Sequence, residues 1–295
     1  MQPTNRQTFI NPEHEANFFK HGFTIVDVPN FTVLDELENV YHAHTLSNKE
    51  GLQLTLKETA SEVILNLHQQ TIYLIQPFLN SILLNHKIIA SGYINKLPGK
   101  NNTSGLHRDP SFTNEQEHHT LLFWCPLTNT NLENGTIGIV PNSHKLFKGY
   151  KGMVYGKYDF SNEDFEIINR YGREIELKKG QAIIFNTALL HFSKQNKTNK
   201  ERLVYSCFII PSEAKPICYH FNSQMHSIDE YYANETLLLN YYSQFINKTD
   251  LPFERINRRK FVAPEKIGFK EFEQIMEKKS GLWNKLKNML YPTNS

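Results

Sequence analysis

The sequence predicts an α+β fold: an antiparallel β core, either a closed barrel or a double-sheet jelly roll, held between helical segments on both flanks. Three observations predict it. Between residues 88 and 212, short apolar runs alternate with Gly, Pro and Asn turn signals. On either side the apolar spacing changes to three and four residues. A chain of 295 residues that is 39% apolar is also large enough to bury a substantial core.

The flanks and the core are then justified element by element. Asn11-Pro12-Glu13 opens a helix, with a capping residue followed by proline at the first helical position. A β-like run, Phe23-Thr24-Ile25-Val26-Asp27-Val28, interrupts the helical segment. Val63, Leu65, Leu67, Ile72, Leu74, Ile75, Phe78 and Leu79 then recur at helical spacing. The predicted strands lie at 88–95, 120–127, 137–140, 181–186 and 203–210, each closed by a turn such as Leu97-Pro98-Gly99 or Asn134-Gly135. Beyond 213 the chain reads as helical again. Ser227 is placed to cap a helix running through Leu237-Leu238-Leu239, a second helix follows Pro264-Glu265, and 282–290 form a short basic amphipathic tail that docks on the core or hangs loose. The expected organisation is one domain over residues 1–295: a helical segment at residues 1–87, a β core at 88–212 and a second helical segment at 213–295.

Composition removes several function classes. Lys and Arg total 32 against 30 Asp and Glu, a balance unlike a nucleic-acid-binding surface. The basic cluster Arg255, Arg258, Arg259 and Lys260 reads as a solvated helix face. Cys125, Cys207 and Cys218 have no CxxC spacing, so neither a disulfide framework nor a cysteine metal site is expected. No leader peptide or membrane-length apolar run is evident, and a cytoplasmic location is expected. The sequons at Asn196 and Asn247 read as polar loops. Neither a phosphate-binding glycine loop nor a Gly-x-Ser-x-Gly elbow occurs.

What remains points to metal chemistry. In Gly105-Leu106-His107-Arg108-Asp109, positions two apart on a strand share a face, so His107 and Asp109 can offer an imidazole and a carboxylate to one ion. His191 follows the apolar run 182–185, read as another strand. Three such ligands leave three open octahedral positions, which suit iron binding a bidentate keto acid together with O2. Arg202 lies beyond a polar turn and returns on the next strand, where its guanidinium can pair with the far carboxylate of a dicarboxylic keto acid. Ser193 can add a hydroxyl. His118-His119 and His42-Ala43-His44 lack partners at ligand spacing, His144 reads as structural near the barrel mouth, and His220 and His226 read as surface residues.

The stretch from Ile94 to Ile210 resembles the phytanoyl-CoA dioxygenase family of Fe(II)/2-oxoglutarate-dependent oxygenases. The resemblance rests on Ile94-Asn95-Lys96-Leu97-Pro98-Gly99, His107-Arg108-Asp109, Trp124-Cys125-Pro126-Leu127, Glu133-Asn134-Gly135 through Pro141-Asn142-Ser143-His144-Lys145, Lys179-Gly180 through Phe185, and Leu190-His191-Phe192-Ser193 leading to Arg202. It implies a double-stranded β-helix core and Fe(II) held by His107, Asp109 and His191. It further implies 2-oxoglutarate anchored by Arg202 and Ser193, with Trp124, Tyr93 and Ser104 beside it, and O2 as oxidant. The implied reaction is hydroxylation of a small-molecule or carrier- or CoA-linked substrate, with succinate and CO2 released. Desaturation, cyclisation or halogenation by the same centre is the alternative; the carboxylate of Asp109 disfavours halogenation, because halogenating relatives carry a small residue there. A non-catalytic jelly roll binding a small molecule or zinc is the rival from another class. Arg108, where relatives often carry Gln, and Phe112 are the expected substrate contacts. The loop 110–117, the insertion 145–173 and the C-terminal helices are expected to choose the substrate. Asn142 replaces a turn glycine, which asparagine tolerates.

Overall fold

The computed structural model describes residues 6–44, 51–57, 61–146, 164–222, 225–234, 237–239, 253–260 and 269–278. Helix α1 (Pro12–His21) begins as its cap predicts, with the Asn11 side chain accepting from the Glu13 amide, and it ends at Gly22 in the left-handed region, φ 86°. Strand β1 (Phe23–Asp27) follows, then helix α2 (Phe31–His42), a short strand β2 (Leu52–Leu54) with a 3-10 turn over Thr55–Lys57, and helix α3 (Ser61–Ile82). Strands β3 (His86–Lys96), β4 (Ser104–His107), β5 (Leu121–Pro126) and β6 (Ile137–Ile139) come next. Helix α4 (Asp164–Tyr171) precedes β7 (Arg173–Ile175), β8 (Gln181–Asn186), β9 (His191–Ser193) and β10 (Arg202–Pro211).

These strands make two antiparallel sheets, ordered β1-β8-β5-β10-β3-β2 and β4-β9-β6-β7. Facing sheets of this kind form a jelly roll, the double-stranded β-helix. Side chains alternate along β5: Leu122 and Trp124 enter the layer between the sheets with Phe185, Val204 and Phe208, where they meet Ile137, Ile139 and Ile175 of the smaller sheet. Leu121, Phe123 and Cys125 point the other way, onto Leu34, Leu37, Leu67 and Ile75 of the N-terminal helices. Burial on both faces explains why these strands read as unbroken apolar runs rather than alternating ones. Each large apolar side chain so buried contributes about 2 kcal/mol. A third layer, Leu106, Val140, Leu190 and Phe192, packs under Ile167 and Tyr171 of α4 and under Phe272 and Met276 of the C-terminal helix, Phe269–Lys278.

Beyond 213 the expectation holds in part: 237–239 are helical and a helix, Phe269–Lys278, follows Pro264-Glu265, but the start of the region departs from it. The region opens with a three-stranded sheet of β11 (Ile217–Asn222), β12 (Ser227–Tyr232) and β13 (Arg255–Lys260). Ser227 starts a strand rather than capping a helix, and the basic cluster lies on a strand rather than a helix face. The cause is cross-strand charge pairing: Arg258 donates to the buried Asp229 carboxylate through Nε at 2.6 Å and Nη2 at 2.7 Å, and Arg259 pairs with Glu230. His220 is buried rather than on the surface, whereas His226 is exposed. Asn196 is also buried; its side chain donates to the Lys96 and Lys200 carbonyls and shapes the turn between β9 and β10. The tail 282–290 and Asn247 lie outside the described residues.

Burial raises the Asp229 carboxyl, and pairing with Arg258 and Arg255 outweighs it, so the group sits below the usual carboxylate range. Its stabilising contribution is therefore present above about pH 4 and is lost as pH falls through the lowered folded-state value. Arg258→Ala strands a buried carboxylate and is expected to cost about 3 kcal/mol at pH 7. Urea unfolding of both proteins checks this; an unchanged midpoint would refute the pairing as a stabilising contact.

Candidate metal centre

His107 ends β4 and His191 begins β9, and the two strands pair with these residues in register. The expectation placed Asp109 on the same strand as His107. It lies instead just past the strand end, where its amide donates to the Thr187 carbonyl at 3.0 Å. His191 likewise does not end the strand of residues 181–186. The chain leaves β8 at Asn186, turns through 187–190 and enters the smaller sheet at His191. That turn is tightly held. Asn186 Oδ1 accepts from the Ala188 amide at 2.9 Å, and Ser143 Oγ accepts from the Leu190 amide at 2.8 Å.

The ligand atoms converge. His107 Nε2 lies 3.7 Å from Asp109 Oδ1, and His191 Nε2 lies 3.4 Å from Asp109 Oδ2. Candidate ligand atoms of all three residues fall within 4.8 Å of one another, the only such group of His, Cys, Asp and Glu among the described residues. Each imidazole is oriented by main chain two residues before it: His107 Nδ1 is 2.7 Å from the Gly105 carbonyl, and His191 Nδ1 is 3.0 Å from the Leu189 carbonyl. A carbonyl only accepts, so Nδ1 carries a proton, and Nε2 is the atom that each ring can offer to a metal. Two neutral imidazoles and one carboxylate, with their outer nitrogens fixed in this way, are what a divalent metal requires.

The centre opens into a cavity of about 140 Å³, whose lining includes His107, Asp109 and His191 together with Trp124, Ser193 and Arg202. Arg202 is buried, and its guanidinium carbon sits 5.4 Å from the Trp124 ring centroid. Burial pushes the guanidinium down to about 9, and its Nε is a buried donor without a hydrogen-bond partner among the described residues. A cation held out of water with an unused donor calls for an anion in the cavity. The residues therefore fit a metal together with a carboxylate-bearing ligand.

The other expected site residues divide. Ser104 and Ser193 line the cavity and pair across β4 and β9. The Ser193 hydroxyl lies within donating distance of the Gly135 and Thr136 carbonyls, at 2.8 and 3.1 Å. Tyr93 borders the cavity from β3, but its ring packs in the outer layer with Tyr205 and its hydroxyl donates to the Leu37 carbonyl at 2.7 Å. Arg108 and Phe112 are buried outside the cavity lining, Phe112 edge-on against Phe208. The loop 110–117 does not line the cavity either, and 147–163 of the insertion lie outside the described residues.

Two contributors went unread in the sequence. Leu52, Leu54, Leu56 and Lys57 form a cavity wall from β2 and its 3-10 turn, a segment expected to be helical. The turn fits because β3 carries Gly92 beneath it, where a Cβ would lie 2.2 Å from Thr55 Oγ1. Lys96 lines the cavity beside Arg202 and is fully buried. Among the described residues, the histidines set aside at 118–119 join no metal group; burial, with His118 adding to it, pushes His119 down to about 4.

The phytanoyl-CoA dioxygenase (PhyH) family model matches residues 18–204. A phytanoyl-CoA dioxygenase of Arabidopsis thaliana is 28% identical over 132 residues, covering 43% of this chain and 45% of that protein. Phytanoyl-CoA dioxygenase domain-containing protein 1 of Danio rerio is 28% identical over 138 residues, covering 44% and 47%. The matched stretch of the chain thus spans a little under half the length of either relative. Among solved structures, the epimerase SnoN, in complex with Fe3+, alpha ketoglutarate and nogalamycin RO, superposes with a TM-score of 0.52 at 16% identity, over 87% of this chain and 96% of that one. The likeness extends to the fold. No helix among the described residues is long and apolar enough to cross a membrane.

Asp109→Asn removes the anionic ligand while keeping the side chain's shape. It is expected to weaken cobalt(II) binding by more than about 100-fold, beyond the loss typical of an outer hydrogen-bond partner. Equilibrium metal titration checks this; undiminished stoichiometric binding would remove Asp109 from the ligand set.

Proposed function

Because this chain belongs to the phytanoyl-CoA dioxygenase family, we propose that it is an Fe(II)/2-oxoglutarate-dependent oxygenase that hydroxylates an unactivated C–H bond of a small-molecule or carrier- or CoA-linked substrate. The observation that carries the reading is that one cavity joins the His107–Asp109–His191 cluster to a buried Arg202 with an unpartnered donor. A simple zinc-binding or ligand-binding jelly roll has no need of that arginine.

Fe(II), 2-oxoglutarate and O2 together supply an oxidant able to attack an unactivated C–H bond, with succinate and CO2 as co-products. The chain's own residues do the rest. His107, His191 and Asp109 would hold the metal beside the cavity that they line. Arg202 draws the far carboxylate of the keto acid to the apolar floor over Trp124, where a charge pair is stronger than in water. Ser104 and Ser193 border that carboxylate. Leu52, Leu54 and Leu56 wall the cavity on the side of β3 and Lys96 and help keep water from the buried charges there. That wall is apolar, with Lys57 at its exposed margin.

The reading is tested by anaerobic titration of the protein with Fe(II) and 2-oxoglutarate, following the weak visible charge-transfer absorption of the iron–keto acid pair. The wild type is expected to develop the band. Arg202→Ala is expected to need at least about tenfold more 2-oxoglutarate, the loss of roughly 1.4 kcal/mol or more from a charged hydrogen-bonding partner. Iron that binds without any band on adding 2-oxoglutarate would end the cosubstrate assignment.

A further inference from the structure

We propose that Lys96 is a second recognition cation of this cavity, facing the far carboxylate of the keto acid together with Arg202, so that the site takes up a proton when the dianion binds. The proposal rests on the cosubstrate reading above. It names a residue and a proton linkage which that reading does not require.

The geometry places the two cations side by side. Lys96 is the last residue of β3 and pairs in register with Arg202, the first residue of β10. Both line the cavity and both are buried, Lys96 at 0% exposure. Lysine is rarely buried without a carboxylate partner. The Lys96 ammonium nitrogen instead reaches two main-chain carbonyls, Ser193 at 3.1 Å and Lys194. The charged groups facing it are Arg202 from β10, Glu174 from β7 and Lys194 from the turn after β9. Glu174 is engaged by Lys194 at 2.6 Å.

This arrangement suits a neutral amine before the keto acid binds. A neutral amine has two N–H bonds and one lone pair, and two acceptors are supplied. Burial, followed by the Arg202 charge, pushes Lys96 down to about 6, with Glu174 opposing. At pH 7.5 the site therefore holds it mostly uncharged until 2-oxoglutarate arrives. The arriving carboxylate reverses the balance, because an opposite charge at close range favours the protonated form. Protonation converts the lone pair into a third N–H donor for the carboxylate. The bond formed is N–H, and the proton comes from solvent. It supplies a donor where the Ser193 hydroxyl lies against the Gly135 and Thr136 carbonyls.

The sign of the linkage follows. Binding is favoured where the amine is already protonated, so the dissociation constant for 2-oxoglutarate rises with pH above about 6, approaching tenfold per unit. The experiment is calorimetric titration of 2-oxoglutarate into the full-length protein loaded with redox-inert nickel(II), at pH 7.5, in two buffers of different ionisation enthalpy. Uptake of about one proton per 2-oxoglutarate is expected for the wild type. Lys96→Met, of similar volume, is expected to bind at least about tenfold more weakly with no uptake. Binding by the wild type without proton uptake, or uptake that persists in Lys96→Met, overturns the role of Lys96 and leaves the oxygenase reading standing. Absence of 2-oxoglutarate binding to the nickel-loaded wild type overturns that reading, and the proposal with it. Should Lys96→Met fail to fold, the wild-type pH dependence decides alone: a dissociation constant flat from pH 6.5 to 8.5 excludes the linkage.

Discussion

One turn, residues 187–190, is the constraint on which the rest of the centre depends. It carries the chain out of the six-stranded sheet and into the four-stranded one. On the way its Thr187 carbonyl takes the Asp109 amide, and its Leu189 carbonyl orients the His191 ring. Two of the three ligands are thus placed by a single stretch of main chain. That stretch is fastened from both sides, by Asn186 below and by Ser143 from the loop after β6. Main-chain carbonyls in hydrogen-bonded turns are stiff supports, which suits ligands that must converge before any ion arrives.

The same two-layer construction explains the character of the other end of the cavity. Both faces of the larger sheet are buried, so a polar residue at the start of β10 has little route to water. Arg202 is held over Trp124 in that dry layer, where a charge interacts strongly with any partner and is costly without one. The fold gives up stability at this position, and the ligand restores it. Binding energy here is a direct consequence of where the strand begins.

The sequence made the centre legible to different depths. His107, Asp109, His191 and Arg202 are visible through the company they keep, strand context and ordered motifs rather than the His-x-Asp spacing alone, and the structure brings all four to one cavity. Asn142 was also legible: it adopts φ 69°, as a residue standing for glycine in a turn must. The three-stranded sheet past residue 213 was not. Its strands bury Asp229 and Glu230 against Arg258 and Arg259, which lie some thirty positions later and meet them across the ladder. No local period encodes a pairing of that range. Tyr93 illustrates a finer limit. Its strand was readable, but the face its ring took is fixed by the register of β3 on β10 and by Tyr41 and Tyr205, which it meets there. Lys96 stood out only within a motif, because burial of a lysine is decided by the neighbouring strands and not by its own surroundings in the chain.

The leucine wall sits on β2, a three-residue strand at the rim of the larger sheet that pairs only with β3. The metal ligands belong to the smaller sheet and its turns, and Arg202 to a strand in the interior of the larger one. Exchanging Leu52 or Leu54 for residues of other size therefore touches no metal ligand, and of the charged cavity residues Lys96 alone lies opposite this rim strand, across from Leu52. Divergence of such a scaffold toward new molecules has an easy route: the rim drifts while the machinery stays fixed, and descendants differ in diet before they differ in chemistry.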